Sequence, residues 1–333
     1  MKDIQFSSAN VRIRTYENQL LDHPFLERLL SVDHARDLFP ILQETPYGDF
    51  IEETTNYHDF EQILLAEEKR TFEQAYALTP IKEVVDVFTL KYDYQNLKVL
   101  VKMWYTKEDL AHLLVPFGSV SLTHLKEGVQ TRKHQALPQA MIDCLEEVFS
   151  YIEEYEEVQG IDIIFDNYYW QHFLEITKRH NGEIFGELGQ RMIDVFNIST
   201  ILRSYITGRK KGFMSAVVAD GGTLPTEPML SAIQHSLSDF MALLAKTPYH
   251  HLVSSSIQEF EEFKTLNQFD LMKDNFLMAR FKERKVMPFG PSAMLGYLYA
   301  KESEIKNLRL IFIGKINKIP VEILRSRVRE TYV

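Results

Sequence analysis

The sequence predicts an all-α protein built from three homologous helical domains, and three observations carry that prediction. Breakers are scarce: the 333 residues include 14 glycines and 12 prolines, where an average chain holds about 7% and about 5%. Good helix formers, and apolar residues recurring at intervals of three and four, fill the space between them. Inside these helical patterns an acidic residue stands three positions before an asparagine at three places: Asp93 and Asn96, Asp194 and Asn197, Glu304 and Asn307. Asparagine is a poor helix-interior residue, because its amide competes for backbone hydrogen bonds. Its recurrence after 101 and then 110 positions marks three copies of one unit. The copies are expected over residues 1–115, 116–218 and 219–333.

Taken in order, the first copy opens with an apolar stripe through Ala9–Leu21 and helical patterns at Phe25–Leu30 and Ala35–Leu42, stopped at Thr45-Pro46-Tyr47. Asp59–Leu78 reads as a helix with Phe60, Ile63, Leu64 and Phe72 on one face and Glu61, Glu67 and Glu68 mostly off it. Pro80 suits the first turn of the next helix, which runs to about Tyr105. The second copy restarts after Gly118, with one helix ending near Leu137-Pro138 and another passing through Met141 and Phe149. The acidic run from Glu146 to Glu157 is expected to be a solvated face. Asp162 or Asp166 would cap the following helix, Asn181-Gly182 would break it, and the Asn197 helix would end near Gly208–Gly212. The third copy begins in the loop Asp220–Pro228, repeats the tripeptide as Thr247-Pro248-Tyr249, and breaks at Met287–Pro291 before the Asn307 helix. In that last helix Ile305, Leu308 and Phe312 share a face, with Lys301, Lys306 and Arg309 turned elsewhere. Pro320 would start a final helix over Val321–Thr331.

Composition bounds the function. The net charge is −10, with 37 basic and 47 acidic residues, and a negative field repels phosphate backbones, so general nucleic-acid binding is not expected. The single cysteine, Cys144, allows no internal disulfide and reads as a small buried side chain. No apolar run reaches the ~20 residues that span a bilayer, and the first ten residues lack the apolar core of a signal peptide. A cytoplasmic chain, or one peripheral to a membrane, is expected.

Catalytic chemistry finds no support. There is no phosphate-cradling glycine loop; Gly221-Gly222 lies in a turn. His172, Glu175 and His180 run in the wrong order for a bundle metal site, and His250-His251 follow a turn, so surface or capping histidines are expected. Glu67-Glu68 and Glu153-Glu154 are adjacent on patterns read as exposed, and adjacent helix positions do not face each other. No catalytic residue, cofactor or metal is expected. The repeated asparagines admit two readings, a cap on a neighbouring helix within each domain or a direct partner contact. Basic clusters are the better interaction candidates: Arg203, Arg209, Lys210 and Lys211 close the second copy, and Arg325, Arg327 and Arg329, after Lys315 and Lys318, close the third. Each suits an acidic partner patch or a solvated helix face.

The ending Lys-Glu-x-Glu-Ile-x-Asn-Leu-Arg from Lys301, then Gly314-Lys-x-Asn, Ile-Pro and a terminal Tyr-Val, resembles the C subunit of the prokaryotic V-type ATPase, the counterpart of the eukaryotic d subunit. The start Val-Arg-x-Arg-x-x-Glu-Asn, the length and the threefold repetition match as well. The resemblance implies three similar domains in a funnel of approximate threefold symmetry. It further implies a non-catalytic rotor part, peripheral on the cytoplasmic face, between the central-shaft subunits of D and F type and the membrane proteolipid ring, and not a homo-oligomer. A helical-repeat adaptor of another assembly is the alternative.

Overall fold

Prolines and polar caps set several helix boundaries. In the computed structural model, residues 3–333 are described, except Glu53, Lys133, His134, Glu157, Gln159 and residues 180–182. Glu157, His180 and the Asn181-Gly182 break therefore lie outside the described residues. Helices account for all the regular structure among the described residues, and the fold is all-α. The chain divides into two compact units, Met1–Val85 with Ser255–Val333, and Asp86–Ser254.

The N-terminal segment supplies α1 (Ser7–Glu17), α2 (His23–Ser31), α3 (Leu38–Leu42) and α4 (Phe60–Leu78). Asp22 caps α2, its carboxylate accepting from the Phe25 N–H with Pro24 in the first turn, which satisfies an orphan donor. Long helix α5 (Glu83–Thr106) leads into the second unit. There follow α6 (Leu122–Thr131), α7 (Gln139–Tyr155), α8 (Ile161–Arg179), α9 (Glu183–Ile206), α10 (Lys211–Val217), α11 (Thr226–His235), α12 (Leu237–Leu244) and α13 (His250–Ser254). The chain returns to the first unit with α14 (Ile257–Phe263), α15 (Asn267–Glu283), α16 (Ser292–Ile316) and α17 (Val321–Arg325).

In the first unit α16 is the axis. It is buried around most of its circumference, as a helix that is apolar on most sides must be, and α1, α4 and α15 pack on it. Phe312 stacks on Phe60 with ring centroids 4.8 Å apart and meets Phe39 at 5.6 Å. Leu29, Leu42, Leu64, Leu308 and Leu324 complete this core. In the second unit α8 packs between α7 and α9. Trp170 lies against Phe196 and Phe173, and Cys144 is fully buried, as its apolar helical pattern suggests.

Four local expectations fail, each for a visible reason. Asp162 and Asp166 lie inside α8 rather than capping it, and they pair with Lys102 and Lys98. The helix expected to end near Leu137-Pro138 stops at Thr131, where Arg132 turns left-handed at φ 54°. The final helix ends at Arg325 instead of Thr331, because the Arg329 and Glu330 N–H groups are taken by the side chains of Asn307 and Asn275. Glu67, Glu68 and Lys301, read as facing away from the core, are buried. The apolar stripe of α4 is only part of what α4 packs with, since α1 and α16 both lie against it.

Candidate functional site: clasps, a buried ion cluster and basic residues

The three asparagines make one and the same contact. The Asn96 amide donates from Nδ2 to the Val115 carbonyl (2.9 Å) and accepts at Oδ1 from the Val115 N–H (2.8 Å). Asn197 grips Ala219 with both bonds at 2.7 Å. Asn307 grips Arg329 at 3.1 and 2.8 Å. A primary amide carries a donor and an acceptor side by side, so it matches the N–H and C=O that one extended residue presents on one edge. Each clasp ties a long helix to the segment after it, 19, 22 and 22 residues downstream. The amides thus hold connector backbone rather than capping a helix.

The acidic partner of each asparagine, one turn earlier, gathers donors. Asp93 accepts from the Ser119 N–H (2.9 Å), the Ser119 hydroxyl (2.5 Å) and the Val120 N–H (3.2 Å). Asp194 accepts from the Leu224 N–H (2.9 Å), the Thr223 hydroxyl and the Tyr249 hydroxyl (2.7 Å). Glu304 accepts from the Leu21 N–H (2.6 Å), the Tyr47 hydroxyl (2.8 Å) and Lys301 (2.7 Å). Gly118 and Gly222 let the backbone come this close, because a Cβ at either would overlap the Asp93 or Asp194 carboxylate. Both tyrosines come from the Thr-Pro-Tyr tripeptides. In each, the threonine hydroxyl donates to the carbonyl of the leucine three residues earlier and accepts from the tyrosine N–H. Burial pushes the Asp93 carboxyl up to about 7, against the three donors, which favour its ionised form.

In the first unit this chemistry extends into a buried ion cluster. Lys301 Nζ lies 2.7 Å from Glu304 and 3.1 Å from Glu67, and all three side chains are at most 5% exposed. Glu67 also binds Arg70, which reaches Asp49 and the Pro46 carbonyl. Desolvation works against the Lys301 ammonium, but the two carboxylates outweigh it and raise its pKa. Burial and the same carboxylates hold the Tyr47 phenol firmly protonated.

The basic residues divide by environment. Arg203, Arg209 and Lys210 are exposed; Arg203 reaches the Ser199 hydroxyl and Arg209 covers the Phe213 ring. Lys211 pairs with Glu227. Arg325 pairs with Glu27 on the surface. Arg329 binds Asp274 (2.6 Å), which Lys306 also reaches, so its charge serves the fold. Arg327 is exposed. Among the histidines, His172 is buried beside the Tyr94 hydroxyl at 3.3 Å rather than lying on the surface, and burial lowers its pKa to about 4. No group of three or more metal-ligating side chains occurs among the described residues. Reasoning from sequence missed Glu67, Tyr47, Tyr249, Ser119 and Thr223; the repeated Thr-Pro-Tyr was the available signal, legible there only as a turn.

Residues 9–327 match the ATP synthase (C/AC39) subunit family. The chain belongs to that family. It is 33% identical to the V-type sodium ATPase C subunit of Enterococcus hirae over 99% of both chains. It is 25% identical to the A-type ATP synthase C subunit of Methanocaldococcus jannaschii, over 96% of this chain and 85% of that one. The A-type ATP synthase C subunit of Thermoplasma volcanium is 24% identical over 96% and 97%. Membership makes the protein a non-catalytic subunit of a membrane-associated rotary ATPase. Among the described residues no helix is long and apolar enough to cross a membrane.

Proposed function

We propose that this protein is the rotor adaptor that joins the central-shaft subunits of D and F type to the membrane proteolipid ring. It works from the cytoplasmic face, not as a homo-oligomer, and links ATP hydrolysis or synthesis to proton or sodium transport. The single observation that supports this most is the recurrence of one clasp, asparagine amide on connector backbone, at all three long helices. Such recurrence fits three homologous domains, near residues 1–115, 116–218 and 219–333, arranged as a pseudo-threefold funnel. A threefold platform suits a part that faces a ring of many subunits on one side and an asymmetric shaft on the other.

Torque transmission needs stiffness more than chemistry, and buried bidentate clasps and ion clusters supply it. The exposed cations Arg203, Arg209, Lys210 and Arg327, on a chain of net charge −10, suit acidic patches on those partners. Complementary charge of this kind sets orientation and register more than affinity. The test is reconstitution of the ATPase with and without the chain. ATP hydrolysis should continue without it while ion pumping is lost, and adding the chain back should restore pumping. Full coupling without the chain, or no association with shaft or ring subunits in pull-downs, would overturn the proposal.

A further inference from the structure

Within the first unit, the end of α16 and the turn before α17 face the α2–α3 connection and the turn before α4 across an open cleft of about 710 Å³. Its ionisable lining is almost entirely nitrogen: His34, Arg36, His58, Lys315 and Lys318, against one carboxylate, Asp33. Tyr57 adds an aromatic wall, its ring 4.2 Å from that of His58. On a chain with a net charge of −10, such a concentration of basic side chains in one concavity is not what bulk composition would place there.

The cations are also poorly neutralised. Lys315 Nζ is held by a neutral group, the Leu30 carbonyl, at 2.7 Å. Arg36 has a loose contact of 3.6 Å with its own neighbour Asp37. Lys318 is exposed and sits at φ 55°, a left-handed conformation that aims the turn between α16 and α17. Burial lowers the pKa of Lys315, with Asp33 opposing and Arg325 adding to the fall; an anion in the cleft would reverse that. The volume is that of a small-molecule site, whereas a protein partner would need a broader and flatter face.

We propose that this cleft binds a phosphomonoester dianion, with Lys315, Lys318 and Arg36 as its charge-bearing donors. A phosphate of this kind presents three acceptor oxygens and about two negative charges, which fits three cations better than a single carboxylate does. Two sources share this chemistry, a free phosphate compound and the headgroup of an anionic lipid such as phosphatidic acid.

The experiment uses the full chain and reads binding by the isolated protein, so its failure would leave the coupling role untouched. Glycerol 3-phosphate, a soluble phosphomonoester, is titrated calorimetrically, and vesicles of phosphatidylcholine with and without phosphatidic acid are co-sedimented. The variants are Arg36→Gln with Lys318→Gln, both at exposed positions, and Arg327→Gln as a control for charge loss elsewhere. The expected result is saturable binding of one probe, weakened about tenfold or more by the double variant, as lost charge-assisted bonds imply, and unchanged by the control. Binding of glycerol 3-phosphate marks a site for a free phosphate compound; binding only to phosphatidic-acid vesicles marks a headgroup site. No binding of either probe at about 0.1 M salt, where exposed charges are well screened, or equal weakening by the control, would overturn the proposal.

Discussion

The Tyr47 hydroxyl donates to Glu304 at 2.8 Å across 257 residues of sequence, and the Tyr249 hydroxyl donates to Asp194 at 2.7 Å across 55. The two tyrosines sit in identical tripeptides with matching threonine bonds. In the second unit the tripeptide follows its long helix, whereas in the first unit it precedes it. The acidic residue of α9 is thus completed by the segment that follows its helix, and that of α16 by the segment at the start of the chain.

Breaking a clasp should be expensive. Asn197→Ala strips partners from both the N–H and the C=O of Ala219, itself 6% exposed. Two hydrogen bonds and the desolvation of orphaned groups put the loss at about 2–4 kcal/mol. Urea unfolding monitored by circular dichroism should show a lower midpoint, and Asn197→Asp, which cannot donate, should fare no better. A midpoint equal to wild type for the alanine variant would mean that the connector is held by something else.

The buried cluster gives a second expectation. Lys301→Met leaves Glu67 and Glu304 buried without their shared cation, and removing one partner of a buried pair costs about 3–5 kcal/mol. Pairing it with Glu304→Gln should recover part of the loss, since Glu304 is the carboxylate left without a cation while Glu67 keeps Arg70. Thermal melts of the single and double variants check this; additive losses would argue against coupling between the two sites.

Asp93 predicts a pH dependence. Its carboxyl is raised from 3.8 to about 7 in the folded chain, so over that interval the folded state holds a proton that the unfolded state has released. Stability from this group is therefore greatest below about pH 4, falls as pH rises, and is lost above about pH 7. The difference in unfolding free energy between wild type and Asp93→Asn should drift steadily between pH 4 and pH 7 and flatten beyond. A constant difference across that range would place the carboxyl outside it.

Close approach at Gly118 and Gly222 can be probed directly. A methyl group at either position overlaps the aspartate it faces, and such overpacking costs about 1–3 kcal/mol. Gly212→Ala, where a Cβ meets nothing, should be nearly neutral in the same denaturation assay. Equal effects at all three sites would remove the steric argument.

For the basic ending, Arg327→Glu and Arg329→Glu should separate docking from folding. Arg329 is tied to the buried Asp274, so its reversal should lower the melting temperature of the isolated chain. Arg327→Glu should leave the melt unchanged while weakening, in a salt-dependent way, assembly with the shaft and ring subunits proposed above as partners. Unaltered assembly would assign Arg327 to a solvated surface.

The all-α class and the threefold signature were legible because helix periodicity and an out-of-place asparagine are local signals. What the asparagines hold was not, since their partners are backbone groups of Val115, Ala219 and Arg329, and backbone leaves no mark in sequence. Glu67 and Lys301 were misread because a charge beside an apolar stripe looks solvated until a third helix covers it. Asp162 and Asp166 looked like caps, being common cap residues, but Lys102 and Lys98 one helix away decide their role.

The bond from the Leu21 N–H to Glu304 spans 283 residues, which has a consequence on the ribosome. At about 5–20 residues per second, α1 to α4 emerge roughly 10–60 s before α16, a helix that packs on α1 and α4. Through that interval Leu29, Leu42 and Leu64 lack the Leu308, Phe312 and Leu324 side chains of their shared core, while the segment 86–254, a compact unit by itself, has already been made. The nascent chain thus closes from the middle outward, and its first helices are the ones most in need of a chaperone's shelter.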